Sequence, residues 1–334
     1  MNIVPLTPHR PQATLAMDPH LVDSLFTTAA LAHLKSIVQL RDAVLTGPST
    51  TDAQLAATEI LIGGWGCPVL DGDLLARMPL LHTVIYTAGT VKGFATDELF
   101  ARGVKISSGA DTNALPVAEF TLAAILLAGK RVFELDAGYR ATGDYRPFAR
   151  QPRQWGNYGI TVGIISASRI GRRVIELLAP FDVNVLLYDP IHTVPGVENV
   201  DFDYLLAHSD VVSLHAPELP ETRHMVDAGA LALMRDGATL INTARGSLVD
   251  DRALLAELTA RRLHAVVDVT EPDVLPAGSP WFDAPNLTLT PHIAGSQGNE
   301  MFRLGDSAVR EIERVLAGRP LRHLVRQEAL HITA

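Results

Sequence analysis

Read for apolar and polar positions, the chain breaks into short β-rich apolar runs separated by segments with helical spacing. The pattern is clearest in the second half, where "TVGII" (161–165), "VNVLLYD" (183–189), "DVVSLHAP" (210–217), "ATLINTARG" (238–246), "LHAVVDVT" (263–270) and "LTLTPHIAG" (287–295) are strand candidates. Helical patterns such as "RIGRRVIELLA" and "DRALLAELTARR" lie between several of them. Continuous apolar runs suit strands covered on both faces, which predicts a parallel sheet between layers of helix. The first part carries a weaker version, with "ATLAM", "EILIGGWG", "LHTVIYTAG" and "VKISSG" as strands and "DELFARG" as a helix ending on glycine. Two longer helical patterns stand apart. "PVAEFTLAAILLAGKR" is expected to open with Pro116 at the first helical position, where its missing N–H costs nothing. "SQGNEMFRLGDSAVREIERVLAG" keeps Met301, Leu304, Val309, Ile312 and Leu316 at helical spacing up to Gly318. Both are expected to flank the second sheet and cross between domains.

Length and charge narrow the class. With 334 residues, 47% of them hydrophobic, the chain has room for two domains with a core in each. A net charge of -9 and the lack of a dense basic run argue against a nucleic-acid partner. No apolar stretch is seen to reach the roughly 18 to 20 residues of a membrane helix, and the start lacks the design of a signal peptide. A cytoplasmic protein with no membrane partner is expected. Cys67 is the single cysteine, so an intramolecular disulfide and a thiolate metal cluster are both excluded. His33, His192 and the other histidines lack metal-motif spacing, and no metal is expected.

Ligands of open α/β sheets lie outside the carboxyl ends of the strands, which directs attention to the residues just past each apolar run. After "TVGII" comes "SASRIG", where a GxGxxG turn would place glycine at 166, 168 and 171; here only Gly171 remains. It keeps the close helix–strand packing, while Ser166 can make the turn cheaply only with a negative φ. Ser168 puts a hydroxyl where a pyrophosphate would approach, either crowding it or donating to it. The helix start still offers backbone N–H groups at Ser168, Arg169 and Ile170. Asp189 comes 23 residues after Ser166, the place for a carboxylate that accepts the adenosine ribose hydroxyls and repels a 2′-phosphate, so NAD is favoured over NADP. The remaining strand ends carry His215, Ala216 and Pro217; Thr243, Ala244 and Arg245; Asp268 with Glu271 and Asp273; and His292 with Gly295 after it. Singly these read as helix caps, solvated charges or partners of carbonyls. Together they set an arginine, several carboxylates and a histidine at one sheet edge.

Five ordered segments, "VGIISASRIGRRV", "DVVSLHAPELPET", "INTARGSLVDDRAL", "VVDVTEPDVLP" and "NLTLTPHIAGSQ", resemble the D-isomer-specific 2-hydroxyacid dehydrogenases. "PVAEFTLAAILLAGKR" and "YTAGTVKGF" are similar to that family's interdomain helix and substrate loop, so the resemblance covers most of the chain. It implies an α/β fold of two doubly wound parallel-sheet domains. A Rossmann-type NAD-binding domain, 116–296, would be inserted into a flavodoxin-like substrate domain, 1–115 and 297–334. It implies NAD(H)-dependent interconversion of a 2-oxo acid and a D-2-hydroxy acid by a homodimer. Arg245 would grip the substrate carboxylate and carbonyl, as a planar and permanently charged fork can. His292 would be the acid and base, and a neighbouring carboxylate would favour its charged form for reduction. Ala88, Gly89 and Thr90 would bind substrate through backbone N–H groups. The cofactor would meet Ser168, Arg169, Ile170, Asp189, Ala216, Pro217, Thr243, Ala244, Arg245, Asp268, His292 and Gly295.

The sequence departs from the family in three places. The glycines at 166 and 168 are missing. The family's Glu, five residues after the strand-end aspartate, is here Asp273, shorter in reach by roughly 1.5 Å, about one C–C bond; Glu271 is the fallback. "AGTVKG" carries Thr90, Val91 and Lys92 where relatives often have aromatic or acidic residues. Trp65 and Cys67 either line the pocket or pack, and no nucleophilic role is expected of Cys67. A second reading keeps the fold without catalysis, as a dinucleotide-binding regulator. A third, a dehydrogenase for formate or phosphite, is disfavoured by the carboxylates at 271 and 273.

Overall fold

Five short strands of the first third, β1 (Gln12–Ala16), β2 (Gln39–Val44), β3 (Ile60–Gly63), β4 (Thr83–Tyr86) and β5 (Lys105–Ser108), pair in parallel in the order β2-β1-β3-β4-β5. The computed structural model describes residues 10–45, 51–144 and 156–330. Within it the chain divides into two units, the first running to Asn113 and resuming at Ser296, the second running from Ala114 to Gly295.

In the first unit every residue of β3 is buried, because side chains pack on both faces of the sheet. Leu34, Ile62, Leu304 and Ile312 fill one face, and Leu61, Leu75, Met78 and Leu99 the other. Short helices between the strands start on side-chain caps. Thr27 accepts from the N–H of Ala30, Asp71 from Leu74 and Thr96 from Leu99. β2, "QLRDAV", does not stand out in the apolar pattern, since an edge strand needs no continuous apolar run. The opposite edge, β5, is covered by the end of the chain. Ser108 N–H donates to His323 O, and Val325 N–H to Ile106 O, in an antiparallel bridge. The helix Met301–Leu316 begins after a single tight turn at Gly298–Glu300, later than the pattern suggested, and its apolar residues belong to the first unit's core rather than to the second sheet.

The second unit holds seven parallel strands: β6 (Thr161–Ile165), β7 (Asn184–Tyr188), β8 (Glu198–Asn199), β9 (Val211–Leu214), β10 (Thr239–Asn242), β11 (His264–Val267) and β12 (Leu287–Leu289), in the order β12-β11-β10-β9-β6-β7-β8. The chain moves outward from β6 through β7 to the two-residue edge β8, then crosses back to β9. The switch point of the doubly wound sheet therefore lies between β6 and β9, the position outside whose carboxyl ends ligands of such sheets bind.

The helix Ala110–Gly129 corrects two expectations. Pro116 lies inside it rather than at its start. The reason is Ser108, whose hydroxyl accepts from the Ala110 N–H at 3.1 Å and starts the helix earlier. By length and composition this helix could cross a membrane, contrary to the reading that no stretch does. Its Ala118, Ala124, Ile125 and Ala128 instead pack on Val162, Ile164 and Ile241 of the second sheet.

Gly305 fixes how closely the last helix approaches the first unit's N-terminal segment. A Cβ there would sit 1.9 Å from the carbonyl oxygen of Leu25. Gly305→Ala is expected to cost about 1–3 kcal/mol in urea unfolding followed by circular dichroism, as overpacking does.

Candidate active site

The turn after β6 is held by a single carboxylate. Ser166 has a φ of +79°, so the expectation of a negative φ is corrected. A left-handed serine costs energy that glycine would not, and the structure shows what offsets it. Asp189 Oδ2 accepts from the Ala167 N–H at 2.7 Å and from the Ser166 hydroxyl at 3.3 Å. Its Oδ1 accepts from the N–H groups of Ile191 and His192, both at 2.8 Å. Burial alone would push the Asp189 carboxyl up; the bonds from Ile191, His192, Ala167 and Ser166 outweigh it and hold the group below the ordinary carboxylate range. Asp189 thus fastens the turn to the end of β7.

Ser168 is the N-cap of the helix Arg169–Leu178, its Oγ accepting from the Gly171 N–H at 3.3 Å. The oxygen is turned into the helix, and its own O–H remains able to donate outward. A Cβ at Gly171 would lie 2.0 Å from Ser166 O and 3.4 Å from His215 Cβ. Only glycine allows that approach of helix to strand. A parallel switch point, a capped helix N-terminus, a glycine forced by backbone contact and an acid at the end of β7 together fit a dinucleotide.

At the next strand ends, His215 is fully buried, its Nε2 3.0 Å from Ser213 Oγ and its Nδ1 without a partner among the described residues. Burial pushes this imidazole down to about 3. Ala216 and Pro217 come next, and Pro217 O accepts from the Thr222 hydroxyl at 2.6 Å. Thr243 Oγ1 lies 2.9 Å from Thr121 Oγ1 on the long helix. Asn242, which the sequence reading passed over, shapes the arginine loop. Its Nδ2 donates to Arg245 O at 2.8 Å and its Oδ1 accepts from the Ala244 N–H at 3.1 Å. The "INTARG" string contained that signal, as an Asx side chain folding its own turn. Arg245 is half-buried, with Nη1 on Ala244 O at 2.6 Å. Gly246 lets this loop touch the next one, since a Cβ there would meet the Thr270 and Glu271 backbone at 2.2–2.6 Å.

Asp268, at the end of β11, is buried and organises the histidine. Its Oδ1 accepts from the Thr290 hydroxyl at 2.6 Å and the Ile293 N–H at 2.9 Å, and its Oδ2 from the Ala294 N–H at 2.9 Å. The His292 N–H donates to Asp268 O at 2.9 Å, and His292 takes a left-handed φ of +54°. So presented, its Nδ1 lies 3.4 Å from Asp273 Oδ2, with both side chains more than half exposed. Glu271 faces elsewhere, in a two-pronged pair with Arg223 at 3.0 and 2.9 Å. That guanidinium holds the Glu271 carboxyl below its usual range.

In the first unit the turn at 88–90 comes after β4. The Ser108 hydroxyl donates to the carbonyls of Ala88 and Gly89, and the Thr87 hydroxyl to Gly63 O at 2.9 Å. The N–H groups of Gly89 and Thr90 have no acceptor among the described residues. Lys92 is exposed. Burial pushes the Cys67 thiol up to about 12, which removes any thiolate. Trp65 is partly exposed, Trp281 is core, and Trp155 lies outside the described residues.

Residues 122–294, more than half of the chain, match the model of the D-isomer specific 2-hydroxyacid dehydrogenase NAD-binding domain. The chain belongs to the D-isomer-specific 2-hydroxyacid dehydrogenase family. It is 33% identical over 258 residues to a D-3-phosphoglycerate dehydrogenase of Mycobacterium leprae, covering 75% of this chain and 48% of that one. It is 32% identical over 278 residues to a glyoxylate reductase of Thermofilum pendens, covering 79% and 80%. Among solved structures, the TT0316 protein from Thermus thermophilus superposes with a TM-score of 0.74 at 28% identity, covering 94% of this chain and all of that one. The chain spans about half the length of the phosphoglycerate dehydrogenases it matches. The matched NAD-binding region lies within the second unit, Ala114 to Gly295.

Ser168→Ala is expected to cost about 1 kcal/mol of stability and Ser168→Gly only a few tenths, as N-cap replacements do; urea unfolding reads the difference. His215 gives a pH signature. Its unfolded imidazole takes a proton below its ordinary value of 6.5, while the folded one stays neutral to about 3. Stability therefore falls as pH drops through that window, by up to about 1.4 kcal/mol per pH unit from this group. His215→Gln is expected to flatten that slope in urea titrations between pH 4 and 6.

Proposed function

We propose that this protein is an NAD-dependent oxidoreductase interconverting a 2-oxo acid and a D-2-hydroxy acid. The observation that carries the reading is the His292–Asp273 pair at 3.4 Å, with the His292 loop fixed by Asp268 and only β11 standing between its strand and that of the Arg245 loop. NAD(H), when bound, supplies or takes the hydride. Arg245 holds the carboxylate and carbonyl of the acid by a charged fork. His292 has Nδ1 turned to Asp273, which leaves Nε2 to give a proton to the carbonyl oxygen in reduction and to take it back in oxidation. Asp273 orients the ring through its contact with Nδ1. Glu271 is already committed to Arg223 and does not.

Asp189 is assigned to the adenosine ribose, with its loop bonds shared or exchanged on binding, and its charge favours NAD over NADP. Ser168, Arg169 and Ile170 are assigned to the pyrophosphate, and Ala216, Pro217, Thr243, Ala244 and Gly295 to the walls of the cofactor crevice. The Ala88–Thr90 turn supplies N–H groups for the substrate carboxylate. On the same reading the first unit is the substrate domain, and the protein works in the cytoplasm as a homodimer.

The test is NADH oxidation with glyoxylate, pyruvate, hydroxypyruvate and bulkier 2-oxo acids, with NADH binding measured separately by fluorescence. His292→Asn is expected to lower kcat by about 10²–10⁴-fold, the range for loss of a general acid. Arg245→Ala is expected to lower kcat/KM by at least about tenfold, as loss of a charged hydrogen bond does. Asp273→Asn should reduce kcat more than Glu271→Gln; the reverse order would move the acidic role to Glu271. NADH binding without turnover of any acid would favour a dinucleotide-binding regulator instead.

A further inference from the structure

The first unit has a polar cleft of about 500 Å³ that includes none of the residues assigned to cofactor or substrate. Four arginines line it: Arg310, Arg314, Arg319 and Arg322. This is an unusual concentration in a chain of net charge -9. Arg310 and Arg314 stand one turn apart on the helix Met301–Leu316, so they share a face, where like charges repel. Gly318, with a φ of +66°, ends that helix and turns the chain back, bringing Arg319 and Arg322 to the same cleft.

The carboxylates of the cleft are already committed. Asp111 pairs with His323 Nδ1 at 2.8 Å, and Glu313 with His33 Nε2 at 2.8 Å. Glu311 is buried and accepts from the Ser107 hydroxyl at 3.0 Å and from the N–H groups of Arg322 and His323 at 3.1 and 3.2 Å. Arg314 donates to Pro320 O at 2.8 Å and faces Glu311 at 3.7 Å. A basic residue in a helix's last turn is what the helix dipole favours, and that accounts for Arg314. It does not account for Arg310, a turn earlier, or for Arg322, beyond the reversal. The guanidinium groups of Arg310, Arg319 and Arg322 have no acceptor among the described residues.

We propose that this cleft binds a small multivalent oxyanion, a phosphoryl or polycarboxylate group, independently of the proposed redox chemistry. Arginine, rather than lysine, supplies the flat donor forks that match the paired oxygens of such groups. Several forks converging from one helix face and the returning chain suit a ligand carrying two or more charges.

Isothermal titration of the whole protein with pyrophosphate, citrate and inorganic phosphate, at ionic strength matched with chloride, tests the proposal. Saturable binding of pyrophosphate or citrate is expected, and the better of the two distinguishes a phosphoryl from a polycarboxylate ligand. The exposed pair Arg310→Ala/Arg322→Ala should weaken it by about tenfold or more, as loss of charge-assisted bonds does. Arg173→Ala, on the surface of the second unit, should leave it unchanged. Urea unfolding checks that the double variant folds, and Arg319→Gln repeats the test with one conservative change. No binding of any probe up to about 10 mM, weaker than the millimolar affinity worth about 4 kcal/mol, would overturn the proposal. So would equal affinity in parent and variants, which would assign the anion to another site, such as the helix start at Ser168.

Discussion

The buried carboxylate of Asp268 is the interaction on which the candidate chemistry depends. It is taken out of water, so its charge must be met by donors, and the loop after β12 supplies them from Thr290, Ile293 and Ala294. Satisfying one acid in this way bends the backbone around it and puts His292 into a left-handed conformation that a free loop would avoid. The imidazole's place beside Asp273 is thus a by-product of solvation.

Asp189 repeats the device at the opposite end of the same sheet edge. There the donors come from the turns on either side, and the conformation imposed is that of Ser166. In both places an acid at a parallel strand's carboxyl end gathers loop N–H groups that the sheet cannot satisfy. The serine at 166 is tolerable because its hydroxyl joins that set, whereas a larger, nonpolar side chain would bring the strain without the bond. The two missing glycines are therefore unlike each other: one sits in strained backbone, the other caps a helix in ordinary geometry.

Much of the second unit was legible because its strands are covered on both faces, so that each is written as an apolar run with its chemistry immediately after it. β2 and β8 were not, since edge strands leave little apolar signature. Pro116 misled because its usual place is a helix start, and Ser108, written as the end of a strand, carries the cap that starts the helix earlier. The choice between Asp273 and Glu271 could not be closed by counting residues. What bears on it is Arg223, 48 positions away, which pairs with Glu271 through both terminal nitrogens. Asn242 and His215 lay in plain view within quoted motifs, but their roles depend on burial, which spacing does not report.

The antiparallel seam between β5 and the end of the chain bears on the order in which the protein is made. β5 leaves the ribosome with one edge bare, and the segment that covers it, around His323 to Val325, arrives only after the entire second unit. The His33–Glu313 pair joins residues 280 positions apart in the same unit. The second unit can close on contiguous chain as it emerges, whereas the first must hold an open sheet until the residues around His323 to Val325 have followed it. A nascent chain stalled between the second unit and His323 would thus carry a folded nucleotide-binding unit and an unsealed strand, the species on which a chaperone would have most to do.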